Sequence, residues 1–439
     1  MSDHHNKIGP FLATMIVAST MIGSGVYLLP ASLAAIGSIT ILAWLAATAG
    51  AALIGGVFVW LAILNPGTPG LFSYIDHAFG PLAGFVTGAL YWASCIVAAV
   101  AVALAVTGYL GALVPFFVTP AGMMISTVAA LWLFIGANIV GPRFVARLQS
   151  WSMLLGLVPV AIAAIGGWFW FRGSVFEASW NVTGQPALAV LPRATVMVFW
   201  AFLGIETAII LSVRVRNPVR DVPIGTLAGL LVAAVLYMAA SGAIMGLLPA
   251  AALARSTAPF ADAIAPILGA SVAGAIALCA MLKACGTLGA GLLLAVESAE
   301  SEAVLGPMRT VARTNIAPRV SLGNLVFTGV LTSLVAIAST SPTLARQFTI
   351  VTNVAVVLSL MVYGAAGLAL LRLSHALPSL QRFWARATAG AGAVCSFALI
   401  AASEPDLLVW SGGAAVLAAI VYAAARVRRA GIARRVAET

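Results

Sequence analysis

Two ionisable residues, Glu206 and Lys283, lie well inside long apolar stretches of the sequence. A charge near the centre of a bilayer costs at least about 2.5–3.5 kcal/mol on insertion scales, so such residues indicate function by default. A carboxylate or an amine in that position could take up and release a proton as the protein changes shape. For Lys283 the alternative is that its long stem carries the ammonium group to the outer interface.

The residues Gly23-Ser24-Gly25 interrupt the first apolar stretch, residues 12–30, near its middle. Each glycine weakens a helix by about 1 kcal/mol relative to alanine, so the pair predicts a break. Backbone N–H and C=O groups freed at membrane depth are tolerated only where they line a cavity or meet a ligand. The break therefore predicts the substrate site of a transporter. Close packing of helices on small residues is the alternative.

A second interruption lies in the sixth apolar stretch, where Gly204 and Glu206 stand mid-span and Trp200 precedes them. The two interrupted stretches are five spans apart. Because five is an odd number, the second set of five would be inserted upside down, as in an inverted-repeat transporter. We expect one transmembrane domain over residues 1–439, made of a first repeat at 10–171, a second repeat at 190–373 and two extra helices at 384–426.

The composition predicts an all-α polytopic membrane protein. The 439 residues are 62% hydrophobic and only 8% charged, whereas soluble domains carry about 25% charged residues. A span needs about 20 mainly apolar residues. Twelve stretches qualify as transmembrane helices: 10–30, 37–64, 82–114, 121–141, 149–171, 190–212, 223–248, 271–298, 321–340, 347–373, 384–402 and 407–426.

The loop charges predict the orientation of these spans. With the N-terminus in the cytoplasm, 17 Lys and Arg residues fall on the cytoplasmic side and 4 fall outside, with Lys283 left in a span. The positive-inside rule therefore places both termini in the cytoplasm. The net charge of +10 follows the membrane, so it does not indicate binding of nucleic acid.

Metal and cofactor chemistry finds no support in the residue pattern. The four cysteines lie inside apolar spans and the four histidines lie outside them. We therefore expect the cysteines to serve core packing, and we expect no metal and no cofactor. The spans contain no Ser/His pair and the chain contains no phosphate-binding loop, so the sequence does not predict an enzyme.

Five motifs stand out along the chain: Met21–Pro30, Leu90-Tyr91-Trp92, Asn138–Pro142, Trp200–Glu206 and Arg216–Pro223. Together they resemble the amino acid–polyamine–organocation (APC) family, and most of all its basic amino acid/polyamine antiporter branch, including the arginine/agmatine antiporter. The resemblance runs from about residue 7 to 425. It implies the five-plus-five inverted-repeat fold of the bacterial leucine transporter with two further C-terminal helices. It also implies a homodimer in the bacterial inner membrane.

The resemblance also implies roles for single residues. The Gly23-Ser24-Gly25 break would bind the substrate's carboxylate, through Ser24 and the neighbouring backbone N–H groups at the positive end of a half-helix. Trp200 would stack on the substrate's side chain. Glu206 would be a pH-responsive gate residue, and Tyr91 and Tyr363 would be gate tyrosines. The further residues expected in the substrate pocket are Ile22, Ile205, Thr20 and Cys95.

The sequence departs from the antiporter pattern at several of these places. Thr20 replaces an asparagine of the first span, Ala99 replaces one of the third, and Ala355 replaces a serine of the tenth. Gly291 stands where the antiporter has the tryptophan of its middle gate. The pocket should therefore be roomier and less polar, and it loses a cation–π surface worth about 0.5–2 kcal/mol for a cationic substrate.

Lys283 is not part of the antiporter pattern. It precedes Thr287 by four residues and Gly291 by eight, so the three share one helix face. We expect Lys283 to face the protein interior, with Glu206 as its possible partner, directly or through water. Its charge would help to couple the contact between the first and eighth spans to protonation.

The sequence leaves two transport functions open. The leading hypothesis is a secondary active antiporter that exchanges an amino acid for a related amine or amino acid by alternating access. The alternative is a proton-coupled permease or exporter of neutral or branched amino acids. The expected partners are the small-molecule substrate, the lipid bilayer and a second copy of the chain.

Overall fold

The protein folds into a bundle of helices. A computed structural model describes residues 7–23, 25–65, 70–212, 214–300, 315–317 and 320–437. One short antiparallel pair is formed by β1 (Asn315–Ala317) and β2 (Val320–Ser321). The helices are α1 (Pro10–Met21), α2 (Gly25–Ala34), α3 (Thr40–Leu64), α4 (Leu71–Phe79), α5 (Pro81–Leu113), α6 (Pro120–Val140), α7 (Pro142–Ile165), α8 (Gly173–Ala178), α9 (Ala187–Phe199), α10 (Thr207–Leu211), α11 (Pro218–Leu247), α12 (Ala250–Leu253), α13 (Pro259–Leu268), α14 (Ala270–Glu300), α15 (Leu322–Ala338), α16 (Leu344–Leu373), α17 (Ser379–Ala401) and α18 (Pro405–Ala437).

The described helices confirm an all-α, multi-pass membrane protein. Ten helical segments are long and apolar enough to cross a membrane, and α1 and α2 form one further span that bends by 51° at its break. The helix in the ninth predicted span, α15, has only 17 residues, fewer than the roughly 20 that a span usually needs. Eleven spans are therefore supported in the described part of the chain, and the count of twelve stays a prediction.

Proline and glycine set the ends of several spans. Pro81 begins α5 after Gly80, whose φ is 88°, and Pro142 begins α7 after Gly141, whose φ is 139°. Proline is favoured at the first turn of a helix, where its missing N–H has no partner to lose. A positive φ is readily adopted by glycine alone. The Gly-Pro pairs therefore allow sharp turns between spans.

Small residues let the first span lie close against the seventh. A Cβ atom at Gly225 would lie 2.7 Å from the Cβ of Ala13, and one at Gly229 would lie 2.8 Å from the Cβ of Val17. The two glycines are four residues apart and face the same helix, which is the close-packing pattern of membrane helices. This contact fixes α1 on α11 and so holds the part of the broken span that precedes the break.

Candidate functional site

The break in the first span is held by hydrogen bonds on both sides of it. α1 ends at Met21, and the N–H of Gly23 turns back to donate to the Met21 carbonyl oxygen over 2.6 Å. The buried hydroxyl of Tyr237 donates to the same oxygen over 2.6 Å. α2 then begins at Gly25. Ser24, the predicted carboxylate ligand, lies outside the described residues. The break thus has the shape that the two glycines predict.

The break in the sixth span is more extended. One tight helical turn at Trp200–Phe202 follows α9, Leu203 is extended, and Gly204 has a φ of 103° before α10 begins at Thr207. The freed N–H of Gly204 donates to Glu206 Oε2 over 3.1 Å. The carboxylate therefore satisfies the backbone of its own break, which explains why an acidic residue stands beside it.

The two breaks lie side by side. A Cβ atom at Gly204 would lie 3.4 Å from the carbonyl oxygen of Thr20, the residue before Met21. The Thr207 and Thr20 hydroxyl oxygens are 3.4 Å apart. Thr20 is exposed at this place rather than buried in the bundle. Polar backbone from two different spans therefore meets in one region, which is where a substrate would find donors and acceptors.

Glu206 joins two predicted gate residues to this region. The Tyr91 hydroxyl donates to Oε1 over 2.9 Å and the Tyr363 hydroxyl donates to Oε2 over 2.6 Å. With the Gly204 N–H, the half-buried carboxylate accepts three hydrogen bonds. The cluster therefore ties α5, α16 and the sixth-span break together.

The cluster is supported by neighbours that do not touch the carboxylate. The ring of Phe72 on α4 lies 5.3 Å from the ring of Tyr91, measured between centroids. Cys95 is buried one turn after Tyr91 and packs with Ile96 and Ala295. Cys95 thus lies beside Tyr91, one of the predicted gate residues. The sequence did not indicate Phe72 as a gate contact, because α4 precedes α5 across a loop and the contact depends on how the two helices fold together.

Trp200 lies directly against the first-span break. Its side chain is 8% exposed, and a Cβ atom at Gly25 would lie 2.7 Å from the indole Cδ1. The ring of Phe348 on α16 lies nearly perpendicular to the indole, with ring centroids 6.3 Å apart. Within the described part of the chain, the buried indole N–H has no hydrogen-bond acceptor. A buried donor without a partner calls for an explanation, and an acceptor on the substrate would supply one.

Lys283 lies on α14, where it packs against α7. It is fully buried, and no described group forms a hydrogen bond with its Nζ. Its stem rests on Gly156 of α7, where a Cβ atom would lie only 2.6 Å from the Lys283 Cβ. The Gly156 carbonyl oxygen accepts from the Tyr27 hydroxyl on α2 over 2.6 Å. The Lys283 amine therefore does not reach the membrane interface. It also forms no hydrogen bond with Glu206 in this structure.

Thr287 lies one helical turn after Lys283 on the same face of α14, near the first-span break. Its hydroxyl donates to the Lys283 carbonyl oxygen over 3.1 Å, and its methyl group lies 3.6 Å from where a Cβ of Gly23 would be. One turn further on, a Cβ atom at Gly291 would meet no atom within 4 Å. Open space at Gly291 is the feature expected where a large gate side chain is missing.

The remaining predicted pocket residues point away from the break or into packing. Ile205 is fully buried, and its Cδ1 lies 2.7 Å from where a Cβ of Gly55 on α3 would be. Its side chain therefore faces α3. Ile22 is 3% exposed within the core. Among the described residues, no group of three His, Cys, Asp or Glu side chains could hold a metal ion.

Long apolar helices around two adjacent interrupted spans define a polytopic membrane transporter. The chain belongs to the amino acid permease family, whose pattern it matches over residues 8–423. It is 31% identical over 414 residues to the putrescine transporter PotE of Escherichia coli (strain K12), covering 92% of this chain and 93% of that protein. The Haemophilus influenzae putrescine transporter PotE is 30% identical over 83% of each chain.

A further relative is the cadaverine/lysine antiporter of Escherichia coli (strain K12), which is 36% identical over 60% of this chain and 59% of its own length. These comparisons confirm the predicted APC family and its basic amino acid/polyamine antiporter branch. They also place the protein among membrane transporters, so it is not an enzyme.

Proposed function

We propose that this protein is a secondary active antiporter that exchanges an amino acid for a related amine or amino acid by alternating access. The observation that carries the proposal is the contact between the two breaks, with Gly204 against Thr20 and Trp200 against Gly25. The names of the similar proteins, a putrescine transporter and a cadaverine/lysine antiporter, support this substrate class.

The substrate site lies at the first-span break in this proposal. The start of α2 at Gly25 offers backbone N–H groups, and the helix dipole favours an anion there. The Trp200 indole packs on Gly25 and has a buried N–H to donate. The substrate's carboxylate binds at the break, and its side chain lies along the indole and the space near Gly291.

The gate consists of Glu206 with Tyr91 and Tyr363. While Glu206 is ionised, both tyrosines donate to it and the three elements stay together. Protonation turns one carboxyl oxygen into a donor, so one of these bonds is lost. A proton on Glu206 would thereby loosen the contact of α5 and α16 with the sixth span and favour opening on that side.

Lys283 is the second proton-coupled group in this proposal. A buried ammonium group without a partner is costly, so its charge state depends on how α2, α7 and α14 pack around it. When the first span moves, water reaches the amine and it takes up a proton. The protonation state of Lys283 thus depends on the position of the first span.

The wider architecture follows from the same proposal. Residues 10–171 and 190–373 form the two inverted repeats, and residues 384–426 form two extra helices. Both termini lie in the cytoplasm, and the protein is a homodimer in the bacterial inner membrane. The positions of the two breaks and the loop charges support the repeats and the orientation, and the family resemblance supports the dimer.

The alternative function is a proton-coupled permease or exporter of neutral or branched amino acids. Two observations favour it. Whenever Lys283 is protonated, it would repel a cationic substrate at the neighbouring break, and no large side chain stands at Gly291 to receive a cationic head. A neutral side chain would fill the apolar space there.

Counterflow in proteoliposomes tests the proposal. Purified protein is reconstituted into separate vesicles for lysine, putrescine and leucine. The vesicles either are empty or hold the unlabelled compound at 10-fold excess over the labelled compound outside. Uptake of the labelled compound is then followed. An antiporter shows uptake only when the interior holds substrate. Uptake of leucine driven by a proton gradient into empty vesicles would instead establish the alternative. Vesicles without the protein provide the inactive control, and the Trp200→Ala protein, incorporated at equal amount, should show weaker uptake at low substrate concentration.

A further inference from the structure

A cavity of about 380 Å³ lies between α2, α9 and α16, away from the breaks. Ser32 of α2, Met197 of α9 and Thr349 of α16 are among its walls, and none of the candidate site residues lines it. Met197 is three residues before Trp200, and Thr349 follows Phe348, which contacts that indole. The cavity therefore lies on the far side of the helices that cover the substrate site. Its volume is in the range of small-molecule sites.

Two arginines from different helices line this cavity, Arg193 of α9 and Arg346 of α16. Both residues are exposed to solvent. In the described part of the chain, neither guanidinium forms a hydrogen bond or ion pair with another side chain. Both guanidinium groups are therefore available to an anion that enters the cavity. Planar guanidinium groups are suited to bind a carboxylate in pairs.

The same cavity also offers acceptors for a cation. Glu404, in the turn between α17 and α18, lines it, and so does Asn353, one helical turn after Thr349. The Oδ1 atom of Asn353 is buried and accepts no hydrogen bond from any described group. A buried acceptor without a donor is unusual and calls for a ligand or water. Glu404 is exposed to solvent. Acidic and basic groups thus line one cavity whose volume suits a small zwitterion.

We propose that this cavity binds a second amino-acid molecule, with its carboxylate on Arg193 and Arg346 and its ammonium group on Glu404 and Asn353 Oδ1. The apolar wall at Val196 and Met197 receives the side chain. The ligand bridges the outer half of the first span, the outer half of the sixth span and α16. The inference rests on the proposed function for its ligand class and for placing the cavity on the outer face.

Equilibrium binding to the purified full chain tests this site. Labelled L-leucine and L-lysine are the probes, and the quantity measured is moles bound per mole of chain. We expect two for at least one probe in the wild type. The double variant Arg193→Gln/Arg346→Gln should bind one. Trp200→Ala should keep the molecule bound through the arginines, while its other molecule binds roughly 5- to 150-fold more weakly. Arg255→Gln removes an exposed arginine that does not line the cavity, so this control should bind two.

The outcomes separate the two proposals. The wild type could bind one molecule that is lost in Trp200→Ala and kept in the arginine variant. That result overturns the second site and leaves the proposed function intact. One molecule that depends only on the arginines supports the cavity and contradicts the proposed substrate site. If neither probe shows binding that depends on the two arginines, the inference is overturned.

A second variant distinguishes a zwitterion from a simple anion. Glu404→Gln should weaken amino-acid binding at the arginine-dependent site at least 10-fold, because the ammonium group loses its charged partner. Inorganic phosphate should bind this variant as well as it binds the wild type, or more tightly. If phosphate binds the cavity and neither amino acid does, the cavity is an anion site and the amino-acid assignment is wrong.

Discussion

The stem of Lys283 occupies the space that a side chain at position 156 would fill. A Cβ atom at Gly156 would lie 2.6 Å from the Lys283 Cβ and 2.8 Å from its Cδ. A fully buried lysine on α14 is therefore possible because α7 has a glycine opposite it. The two residues are complementary in size, although they are distant in the sequence and belong to different spans.

Gly156→Ala is expected to destabilise the protein. The added methyl group would displace the Lys283 stem, and overpacking of this kind costs about 1–3 kcal/mol. The measurement is the apparent Tm of purified protein in detergent. Lys283→Ala on the same background should restore much of the loss, because it removes the overlap. Gly136→Ala is the control, since a Cβ there would meet no atom within 4 Å. Equal Tm values for Gly156→Ala and wild type would contradict the packing argument.

Lys283→Met is expected to flatten the pH dependence of exchange between about pH 5 and 8. Methionine fills the stem's space but has no proton to gain or lose. Lys283→Arg should not rescue the dependence, because arginine stays protonated. Initial exchange rates in proteoliposomes, measured across this pH range with the same pH on both sides, decide the matter. A wild-type profile in Lys283→Met would mean that the lysine has no part in proton coupling.

Glu206→Gln is expected to abolish the pH response of the gate. Glutamine has only one acceptor oxygen, so it cannot accept both tyrosine hydrogen bonds, over 2.9 and 2.6 Å, on separate oxygens. Glutamine also cannot change charge, so its hydrogen bonds do not vary with pH. Tyr363→Phe should weaken the closed gate and raise the exchange rate at neutral pH. Tyr74→Phe is the control, because its hydroxyl donates to Asn65 and not to Glu206. An unchanged pH profile in Glu206→Gln would remove this carboxylate from the gate.

Trp200→Ala is expected to weaken substrate binding by about 1–3 kcal/mol, which is roughly 5- to 150-fold, while the fold survives. The reason is the loss of the aromatic surface and the N–H donor beside the break. Binding of the substrate found in the counterflow experiment is measured by isothermal titration. Trp170→Ala, which changes a tryptophan that is 45% exposed, should bind like the wild type. Normal affinity in a well-expressed Trp200→Ala protein would exclude Trp200 from the site.

Gly25→Val is expected to abolish transport, and Gly25→Ala should already reduce it strongly. The sequence suggested that a side chain here would fill the space of the substrate's carboxylate. The structure adds a second reason, since the first carbon of any side chain would overlap the Trp200 indole. Gly25→Ala/Trp200→Phe should recover expression and part of the Tm. Gly9→Ala is the control at an open position. Transport by Gly25→Val at the wild-type rate would contradict both reasons.

The sequence predicted the two breaks because their causes are local. Glycines at positions 23, 25 and 204 weaken helices wherever they stand in a chain. The sequence also predicted that Tyr91, Tyr363 and Glu206 act together, but only through the family resemblance. Tyr91 and Tyr363 lie 115 and 157 residues from Glu206, and no spacing rule joins residues at that separation.

Hydropathy and glycine content alone therefore determined that this chain crosses the membrane many times and that its first and sixth spans are interrupted, because insertion and helix breaking depend on each segment's own residues. Tertiary structure alone decided that Lys283 rests on Gly156, that Trp200 covers Gly25, and that Arg193 and Arg346 share a cavity. These relationships depend on which helix faces pack together, and that choice is made by the shapes of surfaces that lie far apart in the sequence.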